Sequence, residues 1–306
     1  MRNYIVRRLL ELIPVFFAVT ALVFFMLHLI PGDPAEILAG EDATIEDVRV
    51  IREELGLDKP IIIQYFIYMK NLFKGDLGRS MRTRRPVLRE IMDRYVNTVQ
   101  LAACSVVVMI LLGISTGILS AIKQHSWIDN VSMMIALFGV SMPVFWLGLM
   151  LMLVFSVYLG LFPTTGIGSF KHLVLPSLTL GASATAIITR LTRSSMLEVI
   201  RQDYIRTARA KGLNESQVIL RHALKNALIP VVTIVFLRFG ALLGGAVLTE
   251  TVFAWPGIGW LMIDSIWARD YPVVQGCILM VAVSFVLINL IADLLYGLFD
   301  PRIRYR

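Results

Sequence analysis

NTVQLAACSVVVMILLGISTGILSAI, residues 97–122, is 26 residues long and carries no charged side chain. A hydrocarbon core about 30 Å thick needs a helix of about 20 apolar residues to cross it. Five more stretches read the same way: 9–30, 130–155, 173–192, 231–250 and 274–297. Together they predict an all-α, polytopic membrane protein with six transmembrane helices. Composition agrees. Hydrophobic residues make up 57% of 306 positions and charged ones 17%, with a mean hydropathy of +0.73. A soluble domain of average make-up is about 45–50% apolar and about 25% charged.

Pro143 lies inside the third stretch and predicts a kink there, tolerable where neighbouring helices or water satisfy the freed carbonyl. Gly113, Gly117, Gly139, Gly148, Gly240, Gly244 and Gly245 recur within the runs, as expected where helices approach closely. The run at 9–30 follows Arg2, Arg7 and Arg8 and imitates a secretory leader. It is longer than the usual leader core of about 7–15 residues, so it is expected to stay as an anchor helix.

The net charge of +7 follows the positive-inside rule rather than nucleic acid, which is not expected as a partner. Lys123, Arg302, Arg304, Arg306 and the basic residues between 190 and 225 fall on the N-terminal side of the membrane. The two short loops opposite hold only Lys171 and Arg269. Both termini are therefore expected on the cytoplasmic side. Cys104 and Cys277 stand singly in apolar runs, with neither disulfide nor metal spacing.

Four segments follow: an N-terminal helix at 1–30, an extracytoplasmic loop at 31–96, a five-helix core at 97–297 and a cytoplasmic tail at 298–306. The loop has helical signals of its own. Thr44 and Asp47 resemble a capping box ahead of a short helix ending at Gly56. A second helix is predicted from Pro60 to Lys74, closed by Gly75. A third starts at Pro86 with Val87, Leu88, Ile91 and Tyr95 as its apolar stripe. Glu41, Asp42, Glu46 and Asp47 read as solvated acids near a helix N-terminus, not as a metal cluster.

The segment 193–230, RSSMLEVIRQDYIRTARAKGLNESQVILRHALKNALIP, is too long and too patterned for a connector. Asp203 is expected to cap a short helix running to Lys211, with Gly212 in the left-handed position beyond it. Asn214 caps the next helix, with Gln217 as its capping-box partner. The result is a protruding elbow. Tyr204, Ile205 and Ala208 share its apolar face, with Thr207 and Ala210 beside them. The residues alone leave two readings open, a docking surface for a protein or an interfacial helix with its arginines at the headgroups.

The same segment resembles the cytoplasmic EAA loop of bacterial ABC importer permeases, with Ala208 and Ala210 in the alanine region, Gly212 at its glycine and Ile229-Pro230 as the closing pair. IPGDPAEILAG (30–40), GDLGRS (75–80), DYIRTARAKGL (203–213), HALKNALIPVV (222–232), FAWPGIG (253–259), RDYPVVQG (269–276) and ADLLYGLFDPRIR (292–304) are similar to the first permease of dipeptide, oligopeptide, nickel or glutathione importers. The resemblance runs over essentially the whole chain. It implies a type I importer permease paired with a second, homologous permease, two ATPase subunits below and an extracytoplasmic binding protein above. The elbow would be the coupling helix, meeting an ATPase through Asp203, Tyr204, Thr207, Ala208, Arg209, Ala210, Lys211 and Gly212. No cofactor is expected on this chain. It has no GxxxxGK[ST] loop, so ATP and Mg belong to the ATPases. The implied cargo is peptide-class, with dipeptide or glutathione ahead of nickel.

Charges at membrane depth are candidates for the translocation path. These are Arg238 and Glu250 in the fifth stretch and Asp293 in the sixth, with Asn289 beside it. Mutual pairing, or pairing with the second permease, is the competing explanation. Trp255, Pro256, Trp260, Trp267 and Tyr271 are expected to form an interface belt and the mouth of the path.

The rival classes fit poorly. Ser141 after Gly139-Val140 lacks a following glycine, and His28, His125, His172 and His222 are badly placed to serve it as a base, so no enzyme is expected. An ion-driven secondary transporter or a channel is the alternative, but neither needs the elbow.

Overall fold

The computed structural model describes residues 2–28, 35, 44–54 and 56–299. The motif at 30–40 (Ala35 apart), Glu41, Asp42 and the tail from 300 lie outside these, as does the side chain of Asp47. Among the described residues there is no strand beyond one isolated bridge, Arg79 with Pro86. The described residues form, in order, the α-helices α1 Arg2–His28, α2 Ile45–Glu54, α3 Ile61–Phe73, α4 Val87–Ile122, α5 Trp127–Ser141, α6 Val144–Leu151, α7 Phe170–Ile200, α8 Asp203–Ala210, α9 Glu215–Gln217, α10 Leu224–Val252, α11 Ile258–Trp267 and α12 Tyr271–Phe299. A π-helical stretch, Met152–Tyr158, continues α6, and another, Val218–Ala223, joins α9 to α10.

Among the described residues four helical stretches are long and apolar enough to cross a membrane, namely Val87–Ile122, Phe170–Ile200, Glu215–Gly244 and Tyr271–Ala292. The pair α5 and α6, bent by 113°, makes a fifth if it counts as one span. The first expected span falls on α1, whose described apolar stretch, Leu10–Phe25, is shorter than a full crossing. The kink expected at Pro143 is instead a complete break. Proline forces the residue before it out of the helical region, and Met142 stands extended at ψ 136.

α4 also departs from expectation. The predicted loop helix at Pro86 and the span at 97–122 are one helix of 36 residues. No glycine or proline lies between Tyr95 and Asn97 to end the first, so helical propagation continues.

The chain divides into two compact units. The first comprises Asn97–Pro256 and the chain from Ser284; the second comprises Arg2–Val96 and Gly257–Val283. In the first, α4 and α7 pack with almost no side chain between them at Gly113 and Gly117. A Cβ on Gly117 would lie 2.6 Å from Thr192 Cβ and 2.8 Å from the Thr189 carbonyl oxygen. Thr116 and Thr189 share a hydroxyl hydrogen bond of 2.8 Å across the same seam.

In the second unit Val87, Ile91, Ile258, Leu261, Val273 and Cys277 form the core. Thr20 and Tyr65 share a hydroxyl bond of 3.0 Å between α1 and α3. A buried carboxylate, Asp270, ends the α11–α12 turn. Ser80 Oγ donates to it, as do the N–H groups of Met81 (3.0 Å) and Arg82 (3.3 Å). Two of the motifs quoted above, 75–80 and 269–276, therefore meet. Arg82 reaches Asp264 at 2.5 Å beside them. Asp270→Ala leaves three donors unsatisfied, at about 1 kcal/mol or more each. Limited proteolysis within 79–86 is expected to speed at least several-fold, and an unchanged cleavage rate would count against the anchoring role.

Candidate functional site

α7 ends at Ile200, and the chain turns through Arg201 and extended Gln202 into α8. Asp203 is the first residue of α8, not its cap. Gln202 takes the cap position without a side-chain bond. An acid in the first turn still suits the positive end of the helix dipole. Arg206 reaches Asp203 at 3.4 Å, and Thr207 Oγ1 donates to the Asp203 carbonyl at 3.0 Å. Gly212 beyond the helix has φ +80, in the left-handed region as expected, with open space around it. It is glycine for its backbone conformation, not for room. Asn214 Oδ1 accepts from the Gln217 N–H at 2.9 Å and starts the next helix.

The elbow has an inner and an outer side. Ile205 and Ala208 are buried against Met196, Val218, Ile219, Ala223, Ala227 and Ala121. Its apolar face is thus turned into the chain's own core. Tyr204 stands at the edge, 42% exposed, its hydroxyl accepting from Asn226 Nδ2 at 2.7 Å. Asp203, Thr207, Arg209, Ala210, Lys211 and Gly212 are exposed. Arg209 is held by Glu215 through two hydrogen bonds (Nε 3.0 Å, Nη2 2.6 Å), which raise its pKa above the ordinary value. Seven of the eight expected coupling residues therefore reach solvent, and Ala208 packs behind them.

The four expected path residues do not form one cluster. Arg238, at the middle of α10, is partly buried and makes no hydrogen bond or ion pair with a described residue. Gly240, two residues on, faces Asn289 of α12, whose Oδ1 would lie 3.5 Å from a Cβ there. Asp293 lies on α12, its side chain outside the described ones. Glu250 is fully buried 12 residues from Arg238, about 18 Å along the helix, and accepts from Thr98 Oγ1 at 2.7 Å. Its carboxylate ties α10 to α4.

Trp255 is likewise interior, not part of a belt. It is 1% exposed and its indole N–H donates to the Asn97 carbonyl at 3.0 Å. Asn97 Nδ2 returns a bond to the Pro256 carbonyl at 2.8 Å. Trp267 is 84% exposed, and Trp260 lies under Arg94 at 4.9 Å from the ring centroid.

One polar centre had no sequence expectation. Asp129, 3% exposed, holds Arg193 through two hydrogen bonds of 2.7 and 2.8 Å. In sequence Arg193 reads only as one cationic residue among many between 190 and 225.

A family model described as "Binding-protein-dependent transport system inner membrane component" matches residues 113–305, and the N-terminal model of the same kind of component matches residues 1–102. The chain is 49% identical over 306 residues, all of both chains, to the glutathione transport system permease protein GsiC of Escherichia coli O6:H1. It is 48% identical over the same full span to GsiC of Escherichia coli K12. Among solved structures, an inward-facing MetNI methionine ABC transporter matches at TM-score 0.57 and 20% identity, over 69% of this chain and 96% of that one. An amino acid ABC transporter with histidines matches at TM-score 0.55 and 13% identity, over 68% and 93%. These likenesses show the fold.

Proposed function

The chain belongs to the family of inner-membrane components of binding-protein-dependent transport systems, and from that premise we propose that it imports a peptide-class solute, with glutathione the first candidate. It is a transport subunit and not an enzyme. Its working partners are a second, homologous permease, two ATPases and an extracytoplasmic binding protein, in a membrane that it crosses several times with both termini in the cytoplasm. The glutathione reading rests on full-length likeness to permeases of that name.

The observation that carries the coupling role is the elbow. α8 is bolted to the chain's own core by Ile205 and Ala208 and presents Asp203, Thr207, Ala210 and Lys211 outward. A short helix fixed on one side and exposed on the other can receive a push and pass it inward. Purification of the tagged chain in mild detergent is expected to bring down one further permease and two ATPases. A chain that purifies alone and transports in liposomes without ATP would favour an ion-driven carrier or a channel.

Arg238 is proposed to line the path, together with Asn289 and Asp293 of α12, with Glu250 as a support between α10 and α4. A cation halfway along a membrane helix, with no partner among the described side chains, is costly unless it faces water or a ligand. A peptide carboxylate supplies the missing partner. Arg238→Leu is expected to lower uptake about ten-fold or more, the worth of a charge-assisted hydrogen bond, with assembly unchanged. Uptake at the normal rate would remove Arg238 from the path.

A further inference from the structure

The turn between α4 and α5 and the C-terminal part of α7 converge on one carboxylate. Asp129 accepts from Ser120 Oγ of α4, from the His125 N–H at 3.0 Å, and from Arg193 Nε and Nη2 of α7 at 2.7 and 2.8 Å. Ser126 Oγ caps the Asp129 N–H at 3.3 Å. His125 stands at φ 61, a conformation uncommon for a residue with a Cβ, and its N–H bond to Asp129 helps to hold it. Four donors thus meet both oxygens of a side chain that is almost out of solvent.

The position matters as much as the bonding. Met196, one turn after Arg193 on α7, is fully buried in the same cluster as Ile205 and Ala208 of the elbow. Ala121, next to Ser120, belongs to that cluster as well. The elbow's core and the Asp129 centre are therefore adjacent turns of the same two helices. α5 starts at this centre and leads to the 113° break before α6.

We infer that Asp129 and Arg193 are positioning residues of the transport cycle: they lock the elbow, the ends of α4 and α7 and the start of α5 into one body, so that movement imposed on α8 is delivered to α5 and the bent pair. A bidentate arginine–carboxylate pair fixes orientation as well as distance, which a single contact would not. Without it the elbow can follow the ATPases while α5 stays behind. The inference rests on the elbow being the ATPase contact.

The test is the complete transporter, with partner permease, ATPases and binding protein, in liposomes. Solute imported and ATP hydrolysed are measured together for Asp129→Asn, Arg193→Gln, Arg193→Lys and Ser120→Ala. For the first two the ratio of solute to ATP is expected to fall about ten-fold, a typical coupling energy, while ATP turnover continues. Arg193→Lys keeps the charge without the planar fork and is expected to fall less. Ser120→Ala, the mildest change, serves if the stronger variants fail to assemble, and it is expected to lower the same ratio two-fold or more. Uptake and turnover that fall in parallel, or a ratio unchanged in Ser120→Ala and Arg193→Lys, overturn the inference. Ala210→Arg on the elbow's outer side is made in parallel. If it leaves ATPase binding and turnover untouched, the coupling reading of the elbow fails, independently of Asp129.

Discussion

Gly117→Val is expected to separate α4 from α7. The added Cβ would sit 2.6 Å from Thr192 Cβ and 2.8 Å from a backbone carbonyl oxygen. Neither neighbour can give way, because Thr192 is β-branched and stiff at χ1 and the carbonyl is part of a helix. The helices must move apart by about 1 Å, and overpacking of this kind costs about 1–3 kcal/mol. The same shift stretches the Thr116–Thr189 hydroxyl bond, now 2.8 Å, and loosens the contact at Gly113, where a Cβ would meet Ile188 Cγ2 at 2.8 Å. In lipid this close approach is a main source of helix association, since apolar burial offers little between helices already solvated by acyl chains. Thermal unfolding of the detergent-solubilised chain should show the loss as a midpoint lowered by several degrees. Gly139→Ala is the matched control. Its Cβ would lie 3.4 Å from the Ala182 oxygen and Ala186 Cβ, close to ordinary contact, and its midpoint is expected to stay near that of the parent.

The difference between those two glycines was not visible in the sequence, where all seven read alike as packing positions. Spans are legible because a bilayer demands one property, continuous apolar length, and composition carries it directly. Stops such as Gly75 (φ 78) and Gly212 (φ 80) are legible because their backbone conformation restricts the residue type. What a helix faces is not encoded that way. The apolar stripe of α8 is equally suited to a partner's groove and to the chain's own core, and only the fold shows that Ile205 and Ala208 turn inward. Trp255 failed as a belt residue for the same reason, since tryptophan beside a membrane boundary has the same composition signal whether it is buried or at the surface.

The two polar centres show a further limit. Asp129 lies 64 positions from Arg193, and Asp270 lies 190 from Ser80. Each acid looks locally complete, one as a helix-start residue after Ser126 and the other as part of a turn before Tyr271-Pro272. Pairing at such separation leaves no periodic trace. Arg238 differs, because a lone cation inside an apolar run is conspicuous without any partner, and the structure supplies none among the described residues.

Ile205→Asp is expected to have the largest effect of any single change on the elbow. Ile205 is 0% exposed in a cluster made of Met196, Ala208, Val218, Ile219 and small alanines. Every residue of that cluster is apolar, so an aspartate there sets a charge among apolar side chains. Such a group costs about 3–5 kcal/mol, unless α8 swings out to hydrate it. Either way the elbow loses its seat while its outer surface keeps its chemistry. Ile205→Ala removes packing alone and is expected to cost about 2–4 kcal/mol by the cavity it leaves. Tyr204→Phe, which gives up only the 2.7 Å bond from Asn226, should cost about 1 kcal/mol. The informative measurement is the thermal stability of the chain purified without the ATPases. If Ile205 served chiefly as a contact for another protein, Ile205→Asp would leave that stability unchanged and abolish only ATPase binding. Burial within the chain predicts that both fall, and that the isolated chain already unfolds at a lower temperature before any partner is added.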